Sequence, residues 1–90
     1  MNIVICDDSS LARKSLQRCI SPAALGIVTF LCSNGREAIA TVIENKIDLM
    51  FLDLTMPEMD GYEVCQRLKA NKMRKDIPVI FLTANLDEIS

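Results

Sequence analysis

Three continuous apolar runs punctuate this chain, Ile3-Val4-Ile5-Cys6, Leu49-Met50-Phe51-Leu52 and Val79-Ile80-Phe81-Leu82, and a fourth stretch, Ile27 to Cys32, is rich in β-formers. Runs this short, bounded by turn residues and lacking polar alternation, predict strands buried on both faces. Between them the apolar positions take helical spacing. Leu11, Ala12, Leu16, Cys19 and Ile20 recur roughly every three to five residues, behind a capping Ser9 or Ser10 and ahead of Pro22. Beyond the Ser33-Asn34-Gly35 turn, Asn34 and Glu37 make a capping-box-like start for a second helix that buries Ala38, Ile39, Val42 and Ile43. Asp60 and Glu63 repeat that pattern ahead of Val64, Cys65 and Leu68. The order is β-α-β-α-β-α-β. With right-handed crossovers this predicts one α/β domain over residues 1–90, a doubly wound parallel sheet with helices on both faces.

In such sheets ligands sit beyond the carboxyl ends of the strands. There the chain places Asp7 and Asp8 after the first strand, Asp53 after the third, and Thr83 with Ala84 after the fourth. Carboxylates so gathered repel one another, by about 4 kcal/mol for a charged pair ~4 Å apart at an effective dielectric near 20. A hard divalent cation offsets this, and Mg²⁺ suits a few carboxylates, several waters and the oxygens of a phosphate. With such an ion in place Asp53 can attack phosphorus and become an acyl phosphate, with Thr83 as hydrogen-bond donor.

Composition narrows the chemistry further. The chain has no histidine, which excludes phosphohistidine formation and histidine acid–base catalysis on its own side chains. Ten basic and twelve acidic residues, a net charge of −2 and few aromatics argue against nucleic-acid binding. No apolar segment reaches membrane-spanning length, and a cytoplasmic location is expected. Cys6, Cys19, Cys32 and Cys65 contain no C-x-x-C pair and fall on apolar positions, so buried free thiols are predicted in place of zinc ligands. Arg13, Lys14, Arg18, Arg36 and the Lys72 to Lys75 cluster read as solvated faces, Met56, Pro57 and Met59 as loop geometry and packing, and Gly61 as a flexible turn position.

The acidic pair, the aspartate after the third strand, the M-P-x-M-D-G segment from Met56 to Gly61 and the Thr83-Ala84 pair together resemble the receiver domain of two-component response regulators, including single-domain chemotaxis regulators. That resemblance spans the whole chain. It implies that Asp53 is the phosphoacceptor, that Asp8 and Asp53 bind Mg²⁺ directly with Asp7 acting through water, and that the Thr55 backbone carbonyl is a further ligand. Thr83 would be the switch hydroxyl, with Thr55 and Asn85 influencing phosphoryl lifetime. The implied partner is a sensor histidine kinase or phosphotransfer protein, and the implied role is a switch more than an enzyme.

The family fold is flavodoxin-like (βα)₅ with strand order 2-1-3-4-5, whereas this sequence ends at Ser90, before helix four, strand five and helix five. The expectation is therefore a receiver fold lacking those elements, the strand-five lysine and the usual output face. Two alternatives follow: a phosphorylation-deficient pseudo-receiver, or a self-assembling module that forms a homo-oligomer through an exposed strand-four edge. A haloacid-dehalogenase-type phosphatase also uses an aspartate after a strand, but needs a second acid where Thr55 stands.

Overall fold

The computed structural model describes residues 1–20, 26–74 and 76–82. The elements alternate as predicted: β1 (Asn2–Cys6), α1 (Ser10–Ile20), β2 (Val28–Cys32), α2 (Gly35–Glu44), β3 (Leu49–Asp53), α3 (Gly61–Ala70) and β4 (Val79–Leu82). All strand pairs are parallel and the sheet order is β2-β1-β3-β4. Among the described residues β2 and β4 are the edges. No helix among them is long and apolar enough to cross a membrane.

Strand side chains alternate between faces, and each face has its own cover. Val4 and Cys6 of β1 with Met50 and Leu52 of β3 point toward α2 and α3, where they meet Ala38, Val42, Val64 and Leu68 in one buried cluster. Ile3 and Ile5 are buried on the opposite face, toward α1. Gln17 of α1 donates its amide to the Thr29 hydroxyl at 2.8 Å, and Thr29 pairs with Ile3 across the sheet. β1 is thus buried on both faces, whereas on β3 the residues opposite that cluster, Leu49 and Phe51, are half-buried. At the edges this fails, since Val28 of β2 and Ile80 and Phe81 of β4 are exposed.

Helix α1 departs from its predicted apolar stripe, for it has no buried residue, and Leu11 is 74% exposed. Cys19 is exposed and Cys65 half-buried, so only Cys6 and Cys32 are buried free thiols. The reason is geometric. One helix covers only a strip of a four-stranded sheet, and among the described residues no second helix flanks α1.

Capping follows the sequence closely. The Asn34 carboxamide oxygen accepts from the Glu37 backbone N–H at 2.9 Å, and Glu37 answers by accepting from the Asn34 side-chain amide and the Ser33 hydroxyl. The Asp60 carboxylate accepts from the Glu63 N–H at 2.9 Å. The far end of α2 was not legible. Its Thr41 carbonyl accepts from Asn45, while Val42 and Ile43 carbonyls accept from Arg74 Nε at 2.7 Å and Nη2 at 3.2 Å. Arg74 is therefore a clamp on carbonyls that the helix leaves unpaired, not part of a solvated basic face. Arg74→Met keeps the aliphatic stem but removes these charged donors; it should lower stability by about 2 kcal/mol in urea unfolding, and an unchanged midpoint would show the clamp to be idle.

Candidate functional site

The site is built where β1 and β3 end. Cys6 lies opposite Leu52 in the parallel ladder, so Asp7 and Asp53 leave the sheet side by side. Asp7 is 8% and Asp53 5% exposed, and these are the buried charged side chains among the described residues. Asp8 is exposed. One carboxylate oxygen from each of Asp7, Asp8 and Asp53 lies within 4.8 Å of the other two. The three acids from chain-distant positions thus converge as the sequence predicted, while Thr83 and Asn85 lie outside the described residues.

Local hydrogen bonds orient each acid. The Asp7 backbone N–H donates to the Cys32 carbonyl at 3.0 Å, extending the β1–β2 ladder by one rung. Its carboxylate accepts from the Ser9 N–H at 2.9 Å, and its carbonyl accepts from Arg13 Nη1 at 2.6 Å. Arg13, read from sequence as a solvated charge, is half-buried and attached to the site. The Asp53 carboxylate accepts from the Thr55 N–H at 3.0 Å, which places the Thr55 peptide unit against the acid.

Behind Asp53, the loop to α3 is held by its two methionines, each 8% exposed. The Cys6 thiol donates to Met56 Sδ at 3.7 Å. Between them Glu58 adopts a left-handed φ of 67°, and the Met59 N–H donates to the Pro57 carbonyl at 2.7 Å. Gly61 then donates its N–H to the Leu54 carbonyl at 3.1 Å. A Cβ there would fall 2.5 Å from the Asp53 carbonyl oxygen and 3.0 Å from Leu54 Cα. Glycine is needed for close approach, and flexibility is not the reason.

Burial raises the Asp53 carboxyl above its ordinary value; the Thr55 bond opposes this, and the charges of Asp7 and Asp8 add to it. Nearby, burial above all pushes the Cys6 thiol to about 12, with Cys32 and Asp7 contributing, so it is an unreactive neighbour. Among the described residues no side-chain cation pairs with any of the three carboxylates within 4.0 Å. Three oxygen donors of like charge and unpaired form a hard, all-oxygen set that fits a divalent cation such as Mg²⁺ or Mn²⁺. A trough of about 430 Å³ opens beside it, lined by Asp7, Ala12, Ser15, Leu16, Cys19, Asp53 and Leu82.

Comparison with known proteins gives a consistent picture. A family model described as the response regulator receiver domain matches residues 3–90. The response regulator MprA of Mycolicibacterium vanbaalenii is 36% identical over 90 residues, 100% of this chain and 37% of that protein. The solved receiver domain of a signal transduction histidine kinase from Syntrophus aciditrophicus superposes with a TM-score of 0.83 at 38% identity, covering 91% of this chain and 61% of that one. The Mn²⁺-bound form of the response regulator Rcp1 superposes with a TM-score of 0.83 at 27% identity, covering 98% of this chain and 70% of that one. The chain thus spans little more than a third of MprA.

Two outcomes follow from the geometry. The ordinary Asp53 value is 3.8, and the folded chain holds it higher, so folding favours the protonated acid and the carboxylate form subtracts stability. That penalty is full above the raised value and disappears as pH falls below the ordinary one. In metal-free buffer Asp53→Asn should stabilise the chain by about 1 kcal/mol at neutral pH, the gain shrinking toward pH ~4. Equal denaturation midpoints at neutral pH would contradict the repulsion. Gly61→Ala should lose about 2 kcal/mol in the same assay, because backbone lies on both sides of the added methyl; a neutral result would mean that α3 can shift freely.

Proposed function

The chain belongs to the response regulator receiver domain family, and on that premise we propose that it is a phosphorylation switch in two-component signalling with Asp53 as phosphoacceptor. Receiver domains of response regulators interact with sensor histidine kinases or phosphotransfer proteins, and they generally hold Mg²⁺ on acidic residues. The observation that carries the reading is the convergence of Asp7, Asp8 and Asp53 within 4.8 Å, without a paired side-chain cation among the described residues. The Mn²⁺ in the Rcp1 relative supports an ion of this class.

In this reading Asp8 and Asp53 would hold Mg²⁺ directly, Asp7 would act through a water, and the Thr55 backbone carbonyl would be a further ligand. When bound, Mg²⁺ neutralises the carboxylates and the charge on the transferring phosphoryl oxygens. An Asp53 carboxylate oxygen attacks the phosphorus of a donor phosphohistidine, the new O–P bond forming as the P–N bond breaks and the imidazole departs. The Thr55 amide holds the other requirement, orientation of the nucleophile, through its bond to Asp53 Oδ1. Thr83 follows directly on Leu82, the residue paired with Asp53, and is the switch hydroxyl of this reading. The role is that of a cytoplasmic switch; turnover of a metabolite is not its purpose.

Incubation with Mg²⁺ and acetyl phosphate should add one phosphoryl group by intact-mass spectrometry, absent from Asp53→Asn and abolished by EDTA. A folded parent chain without adduct, or an adduct that persists in Asp53→Asn, would overturn the assignment.

A further inference from the structure

We propose that Arg13 is a positioning residue for the acid site, its guanidinium fixing the turn between β1 and α1 that presents Asp7 and Asp8 to the divalent cation. This rests on the phosphoacceptor reading above. The bond from Arg13 Nη1 to the Asp7 carbonyl, at 2.6 Å, is a short charge-assisted contact to backbone and not to a carboxylate. It complements two others on the same residue, the Asp7 N–H to the Cys32 carbonyl and the Ser9 N–H to the Asp7 carboxylate. Asp7 is thereby held at its amide, its carbonyl and its side chain. Ser9 is held in turn, its carbonyl accepting from the Arg13 N–H at 3.1 Å and its hydroxyl from the Ala12 N–H at 3.2 Å. Exposed Asp8 lies between these two anchored residues, and its direction is set by them.

Arg13 is the one tie among these that a side-chain substitution removes without touching an acid or the helix cap.

The sign of the effect separates positioning from plain electrostatics. A fixed cation beside a cation site repels the ion, so charge alone predicts tighter Mg²⁺ binding once Arg13 is neutralised. Positioning predicts the opposite. It also predicts rescue by lysine, because the contact uses a single donor that an ammonium can supply.

The experiment measures Mg²⁺ affinity by calorimetry, and the rate of acetyl phosphate labelling at saturating Mg²⁺, for the parent, Arg13→Met and Arg13→Lys, with denaturation midpoints on the same samples. Arg13→Met keeps the aliphatic stem. It should raise the Mg²⁺ Kd about tenfold and slow labelling, while Arg13→Lys returns the Kd to within about threefold of the parent. Binding by Arg13→Met as tight as the parent's or tighter would overturn the inference, and so would a lysine variant no better than methionine. A parent chain that takes up no Mg²⁺ would overturn the phosphoacceptor reading itself, a result visible before any variant is compared.

Discussion

The in-register parallel pairing of β1 with β3 is the constraint from which the rest of this molecule follows. Because Cys6 sits opposite Leu52, the next residue on each strand is an aspartate, and the two leave the sheet at one level. A slip of one residue would send every side chain of one strand to the other face and part the acids. The register is held from both sides: Val4, Cys6, Met50 and Leu52 are locked against α2 and α3, and Ile3 and Ile5 are buried beneath α1. Two backbone bonds then carry the ladders past the strand ends, Asp7 to Cys32 and Leu54 to Leu82. The apolar core therefore determines where the charges meet.

That core supports an arrangement it does not favour. Asp53 and Asp7 are nearly inaccessible, and burial together with the charges of Asp7 and Asp8 works against the Asp53 carboxylate, a penalty that the hydrogen bond from Thr55 offsets only in part. Local rules of stability are broken in one place and satisfied elsewhere, a pattern that marks functional sites. The surrounding features compensate by rigidity: Met56 against Cys6, Gly61 against the Asp53 backbone, Arg13 on the Asp7 carbonyl.

Most of this was legible because it rests on local patterns. Continuous apolar runs marked three strands and a β-rich stretch the fourth, the Asn34/Glu37 and Asp60/Glu63 pairs marked two helix starts, and strand ends marked the acids. What escaped depends on long-range contact. Arg74 reaches carbonyls some thirty residues earlier in the chain, and nothing in the Lys72 to Lys75 cluster distinguishes it. Arg13 did carry a faint signal, a cation one turn into the helix that follows the acidic pair. The exposure of Leu11 and Cys19 escaped for a different reason: periodicity shows which residues share a helix face, not whether anything covers that face.

The connection from Leu54 to Asp60 is a loop by secondary structure only. Its start is pinned through Leu54 to the Leu82 carbonyl, its end through Gly61 to the Leu54 carbonyl, and its middle is plugged into the core by Met56 and Met59. Surface loops ordinarily absorb insertions and deletions over evolutionary time. This one has no slack for them, so its length is set as firmly as the pitch of a helix, and related chains should vary there by substitution alone.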